Sequence, residues 1–440
     1  MTTISPDMVR RLFCSLLFLL CSSLMPPVIY GGNTEPPHML ASWVQYVTDG
    51  VEVRMVTTGK CPSVLLDGQP ASMVQRAAPT GPHPDRVCTA RVPTGTNSIQ
   101  LEGMTLPAPM TTTPERIVVL GDSGCRVSAK HGLYQACNNS SIWPFKKVTD
   151  SAAQFGPELI IVTGDYIYRE SPCPTGNKGC EGTPHGDNQA TWLADWFQPS
   201  HSIRAAAPLV LLRGNHENCA RAGHGWFRYL DAHPYTSQCQ RSTAPWVMEA
   251  GTFRLAVLDT SELKDADNQP LTGLYSEQLT RVKDLLTGPG WIATHRPFWG
   301  FGADDDTGKP VELTGILQDA VRNTGLPQDV RLLIGAHLHL AEVLSFGKQR
   351  PPQLIVGNSG TQLVPETKPP EQIDGLSILN RQVFYQYGFV TMESATHNSW
   401  TITFRDINGR VIEPCLFSDN NVACASSQHS TRQRSGNIQP

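Results

Sequence analysis

Five short segments of this chain carry side chains suited to holding two cations. They are Gly121-Asp122-Ser123-Gly124, Gly164-Asp165-Tyr166-Ile167-Tyr168, Gly214-Asn215-His216-Glu217, the His295 of Ala293-Thr294-His295, and Gly335-Ala336-His337-Leu338-His339. Carboxylate, phenol, amide and imidazole are donors for hard and borderline metal ions. Two cations about 3.5–4 Å apart need an anionic oxygen between them, and Asp165 is the bridging candidate. A water between such ions loses its proton near neutral or acidic pH, and the same ions stabilise a phosphoryl group under in-line attack. His216, beside Asn215, is the candidate general acid for the leaving oxygen, with Glu217 either orienting it or supporting the loop. Taken singly, an Asp or Asn after an apolar strand is most often a turn or helix cap, and Tyr168 reads equally as a packed aromatic. Five such segments together reverse that weighting.

The elements that must deliver these residues are strands. Apolar or β-branched runs precede every segment: 116–120, 159–163, 209–213, 291–293 and 331–335. Buried parallel strands read this way, and their carboxyl ends gather polar side chains at one crevice. In a regular strand His337 and His339 would share a face. Helix-like stretches at 189–197, 276–286 and 313–321 alternate with the strands, and later strand-like runs at 353–356, 388–392 and 399–405 would complete a second sheet. Residues 26–112, with runs such as 42–47, 51–56 and 98–101 between turn clusters, read as a small β-sandwich joined by the Pro/Thr-rich stretch 106–114.

In set, order and spacing the segments resemble the metallophosphoesterase superfamily, and within it the purple acid phosphatase pattern of GDxG, GDxxY, GNH(E/D), xxxH and GHxH, over roughly residues 113–412. The generic calcineurin-like pattern opens with Asp-x-His, whereas this chain has Asp122-Ser123-Gly124 and offers Tyr168 instead. Ala336 departs from the glycine of GHxH but supplies no donor atom. The resemblance implies an α/β (α+β) fold, a four-layer α/β/β/α sandwich behind the β-sandwich domain. It also implies a first site of Asp122, Asp165, Tyr168 and His339, and a second of Asp165, Asn215, His295 and His337. A phenolate with two carboxylates favours Fe(III), and imidazole with amide suits Fe(II), Zn(II) or Mn(II). Plant-like members place a further histidine after xxxH. Here 296–306 contains none, so Arg296 is the candidate phosphate anchor of a rebuilt substrate pocket. The implied activity is hydrolysis of small phosphate esters, monoesters first, with diesters or nucleotides as the alternative on the same site. A different class of reading is a secreted binding protein on a relic metal fold, against which the intact ligand set argues.

The amino end points to export, secreted or periplasmic. Arg10-Arg11, the apolar run Leu12 to Leu20 and the small residues after it make residues 1–23 a signal peptide, too short in its apolar part for a membrane span. Arg10-Arg11-Leu12-Phe13 faintly matches a twin-arginine signal, and Leu20 before Cys21 argues against a lipoprotein. Of the 12 cysteines, removing Cys14 and Cys21 leaves an even set. Pairing neighbours gives 61–88, 125–137, 173–180, 219–239 and 415–424, whereas zinc fingers fail on spacing. Asn138-Asn139-Ser140-Ser141 holds overlapping glycosylation sequons. A net charge of −4 carries no basic excess for nucleic acid or anionic membranes, and 440 residues at 40% hydrophobic content bury a large core. Residues 413–440 read as a disulfide-closed segment and a tail. Oligomeric state is left open.

Overall fold

The computed structural model describes residues 39–263, 270–303, 309–313, 315–368, 370–396 and 399–425. Two large sheets lie face to face, with helices on the outer surface of each. The first has 11 strands and is centred on the parallel strands Arg116–Leu120, Leu159–Val162 and Leu209–Leu211. Alternate residues divide between its faces. Ile117, Val119, Leu159, Ile161 and Val210 pack toward the second sheet, whereas Val118, Leu120, Ile160, Val162, Leu209 and Leu211 pack under the helices. Both faces are dry, so the sequence of these strands is continuously apolar. The covering helices include Phe145–Gln154, His201–Ala206 and Gly223–Tyr229. Another, Gln189–Trp192, continues as a π-helical turn over Leu193–Phe197.

The second sheet has seven strands, with Phe253–Leu258, Gly290–Thr294, Val330–Gly335 and Gln353–Val356 parallel at its centre. The helices Pro270–Leu285 and Gly315–Thr324 close its outer face through Tyr275, Leu279, Val282, Ile316 and Leu317. The layers are therefore α/β/β/α.

One sequence expectation is corrected. Gln353–Val356 belongs to the second sheet, but Gly388–Thr396 and Ser399–Asp406 return to the first, where Gly388–Thr396 runs antiparallel to Arg116–Leu120. Val390, Met392, Ile402 and Phe404 recur at period two and fill the space between the sheets beside Ile117 and Val119. Period two makes them strands but does not choose between two edges.

The front strands Met39–Val47, Gly50–Thr57, Val74–Ala77 and Arg86–Val92 extend the first sheet, with Gln45 in register with Leu209 in a parallel pairing. Val44, Val53, Met55 and Ala90 pack on Val64, Ile99, Leu101 and Leu106 of a separate four-stranded sheet. A sandwich thus precedes the catalytic layers and shares its larger sheet with them. Disulfides join Cys61–Cys88, Cys125–Cys137, Cys173–Cys180, Cys219–Cys239 and Cys415–Cys424. Among the described residues no helix is long and apolar enough to cross a membrane. Residues 1–23, expected from sequence to be a signal peptide, and the tail after 425 lie outside the described residues.

Candidate metal centre

The site forms where strands of both sheets stop. Asp122 follows Arg116–Leu120, Asp165 follows Leu159–Val162, Asn215 follows Leu209–Leu211, His295 follows Gly290–Thr294, and His337 follows Val330–Gly335. Three of them have left-handed backbones: φ is 53° at Asp122, 57° at Asp165 and 69° at His337. Aspartate tolerates this region through local hydrogen bonds, whereas at histidine it is a strained conformation of the kind that clusters at functional sites. The left-handed turn at His337 ends the strand's alternation before His339. Gly164, at φ 104°, is required twice over, because a Cβ there would lie 2.8 Å from both the Gly214 amide nitrogen and His295 Nδ1.

The side chains converge in two overlapping groups. The Tyr168 hydroxyl lies 2.7 Å from Asp122 Oδ1, 2.7 Å from Asp165 Oδ2 and 2.9 Å from His339 Nε2. His295 Nε2 lies 3.1 Å from Asp165 Oδ2 and 3.0 Å from Asn215 Oδ1, and Asp165, His295 and His337 have ligand atoms all within 4.8 Å of one another. Asp165 belongs to both groups. Amides hold the carboxylates from behind: His216 N donates to Asp165 Oδ1 at 2.8 Å, and His337 N donates to Asp122 Oδ2 at 2.9 Å.

These donors fit a metal centre on proton counting. One phenolic proton faces two carboxylate oxygens and an imidazole nitrogen. His295 Nδ1 lies 2.8 Å from the Thr163 carbonyl and donates to it, so Nε2, which faces two acceptor oxygens, must either hold a proton or turn its lone pair to a cation. Lone pairs outnumber protons in a buried space, and cations satisfy that excess.

His216 lies at the edge of the cluster, its ring over Tyr168 with centroids 3.8 Å apart and Nε2 3.9 Å from Asp165 Oδ2. The residue that meets its other nitrogen is Glu170, with Oε1 3.0 Å from His216 Nδ1 and 3.2 Å from Arg221 Nε. Glu217 instead turns inward and accepts the amides of Gly214, Asp165, Tyr166 and Ile167 at 2.8–3.1 Å. Of the two roles open to Glu217, the geometry selects loop support. Asp195, not singled out from sequence, does similar work below Tyr168. It accepts the amides of Tyr168 and Cys125 and pairs with Arg169 at 2.5 Å. Glu170 and Asp195 carried no spacing signal, although Glu170 stands two residues beyond Tyr168.

Arg296 is buried and lines the same cavity of about 370 Å³ as Asp165, His216 and His337. Exposed His185 and His224 do not line it. Tyr166 packs among Trp192, Trp196 and Trp226, away from the carboxylates. The acidic run Asp304 to Asp306 lies outside the described residues.

Without cations, electrostatics strain the site. Burial opposes ionisation of Asp165, but His295 and His216 outweigh it and hold the carboxyl well below the usual range. Burial, helped by the charge of Asp165, pushes Asp122 up to about 8 and Glu217 up to about 8. Burial also lowers His216 and His339. For His295 the charge of Asp165 overcomes burial and raises it to about 9.

The fold has known counterparts. Residues 115–341 match the model of the calcineurin-like phosphoesterase family. A purple acid phosphatase from yellow lupin (Lupinus luteus) seeds superposes with a TM-score of 0.56 at 15% identity, covering 88% of this chain and 75% of that one. PhoD superposes with a TM-score of 0.53 at 11% identity, covering 89% and 92%. Curated proteins give no significant match by sequence. Matched over more than half its length by that model, the chain belongs to the calcineurin-like phosphoesterases, hydrolases of phosphate esters that work through a metal centre.

Proposed function

We propose that this chain is an exported phosphomonoesterase with two metal ions bridged by Asp165. Asp122, Tyr168 and His339 hold one ion, which is Fe(III); Asn215, His295 and His337 hold the other, which is Fe(II), Zn(II) or Mn(II). The observation that carries this reading is the position of the Tyr168 hydroxyl, within 2.9 Å of two carboxylates and an imidazole. Three hard oxygen donors on one side favour a trivalent ion, and the amide and imidazoles on the other favour a divalent one. Bound ions supply a water deprotonated near neutral pH and neutralise charge on the phosphoryl oxygens.

The chain's own groups do the rest. His216, with Glu170 behind Nδ1, donates a proton from Nε2 to the leaving oxygen. Arg296, on the cavity wall, pairs with a phosphoryl oxygen. Glu217 keeps the Asp165 and Asn215 loops in register through four amides. Five disulfides support the exported reading, because such bonds persist in oxidising compartments.

Metal analysis of the unchelated protein with its visible spectrum, alongside hydrolysis of a nitrophenyl phosphate, tests the proposal. About two metals per chain, including iron, with a broad visible band lost in Tyr168→Phe is the expected result. Two metals without that band would remove the Fe(III)–tyrosinate assignment and keep the hydrolase. No metal and no turnover after reconstitution would overturn the reading.

A further inference from the structure

Beside the metal ligands the cavity wall carries more positive charge than one phosphoryl group needs. The disulfide Cys125–Cys137 closes a hairpin whose strands pair Val127 with Tyr134 and Ser128 with Leu133. This hairpin brings Arg126, Ser128, Lys130 and His131 to the cavity. Among the described residues, the carboxylates on that wall are Asp165, which faces the cations, and Glu170, already matched by His216 and Arg221. Lys130 is exposed and makes no ion pair among the described residues. The buried polar groups on this wall without a hydrogen-bond partner include the hydroxyl of Ser128, a residue 3% exposed, and Nη1 of Arg221. A second cavity of about 380 Å³ adjoins the first and shares Lys130, Glu170, His216 and Arg221 with it. His216 therefore stands at the junction, where the oxygen between phosphoryl and leaving groups would lie.

We propose that Lys130, Arg221 and Ser128 form an anion subsite for the leaving group, so that the preferred substrate is a small phosphate ester carrying a second phosphate. This inference rests on the phosphoesterase reading of the site. Lys130 supplies a point charge, Arg221 a free N–H beside the one given to Glu170, and Ser128 a buried donor. Hydrolysis at the metal centre then releases inorganic phosphate and a product that keeps its second phosphate in the subsite.

The test compares kcat/KM for a bisphosphorylated ester with kcat/KM for a phosphate ester of neutral leaving group. It uses the metal-loaded wild type, Lys130→Ala, Lys130→Glu and, as a net-charge control, the exposed helix variant Lys147→Ala. The wild type should prefer the bisphosphate. Lys130→Ala should lower that preference about tenfold, Lys130→Glu further, and Lys147→Ala not at all. An unchanged preference in both Lys130 variants, or an equal fall in Lys147→Ala, overturns the subsite while leaving the hydrolase standing. Should the wild type turn over neither ester, the hydrolase reading fails by itself. Calorimetry with inorganic pyrophosphate against orthophosphate then decides the subsite: tighter pyrophosphate binding lost in Lys130→Glu upholds it, and equal binding overturns it.

Discussion

At the scale of the residue, the site puts acids and bases where burial alone would forbid their charges. Asp122 and Glu217 are pushed up to about 8 from ordinary values of 3.8 and 4.5, and His295 is raised to about 9 from 6.5. A raised folded pKa means stability present at low pH and lost as pH climbs through the folded value. All three groups act in the same direction. Asp165, held low, has no opposing transition above its ordinary value of 3.8, but His216 and His339, also held low, oppose the three as pH rises to the ordinary histidine value of 6.5. The metal-free protein should therefore lose thermal stability from about pH 6.5 to about pH 9, where nothing in the cluster offsets the loss, while the metal-loaded protein stays flatter, because ions replace the missing protons. Melting curves of chelated and loaded protein across this range check it; a chelated protein that gains stability with pH would contradict the cluster's electrostatics. The second residue-scale prediction concerns His216. Replacing it with Ala should cut kcat by about 10²–10⁴ for an alkyl phosphate and far less for a nitrophenyl phosphate, whose leaving group needs no proton. Glu170→Gln should reproduce part of that loss with metal content unchanged. Much of this site was legible in sequence, because a strand followed by Gly-Asp or Gly-Asn-His is a local pattern. Glu170 and Asp195 were not, since their roles exist only after the 168–170 turn, the π-helical turn and the His216 loop meet in space.

Elements fix the precision with which those residues meet. The left-handed turns at Asp122, Asp165 and His337 are held by amides and glycines rather than by local preference. A methyl group at Gly214 would overlap the carboxylate of Asp165, and one at Gly164 would press on His295. Gly214→Ala should thus lose metal affinity by more than the ~10–100-fold typical of changes beyond the ligands, with far-UV circular dichroism retained; competition against a chelator measures it. The hairpin from Cys125 to Cys137 is a separate case. Its sequence separation of 12 predicts a stabilisation of about 3 kcal/mol from the bond, read as a lower denaturation midpoint in the double serine variant. Element types were largely readable from periodicity, as the 353–356, 388–396 and 399–406 strands show. Sheet membership was not. The last two carry the same alternation that either sheet would accept, and only the unfilled edge beside Arg116–Leu120 decides where they dock.

For the whole molecule, the decisive feature is that its first sheet begins before the metal-binding segments do. The described residues from 39 to 425 form one compact unit, and the front sandwich contributes Met39–Val47 directly beside Leu209–Leu211. Polar contacts reinforce that seam. Gln45 Nε2 donates to the Leu230 carbonyl at 2.9 Å, and the buried guanidinium of Arg54 donates to the carbonyls of Tyr229 and Asp231, each at 2.8 Å. Arg76 adds the carbonyls of Phe227, Asp231 and His233, and in return Arg228 reaches the Ala78 and Asp85 carbonyls. Deleting residues 39–112 would strip the sheet of a central neighbour, expose apolar strand and helix surface that packs on Ala41, Trp43 and Val56, and take away the carbonyls that hold Arg228. Losing the burial of several large side chains, at about 1.5–3 kcal/mol each, rivals the typical net stability of a domain, about 5–15 kcal/mol. A chain starting at residue 113, although it holds every proposed ligand, should fail to fold, and its loss should reach the site through the strand that presents Asn215. Arg54→Met offers the graded version: a lower melting temperature with two carbonyls unpaired, and metal content retained below it. A soluble, metal-loaded and active 113–425 fragment would show instead that the front sandwich is an appendage, and that its seam with the first sheet contributes little to holding the centre together.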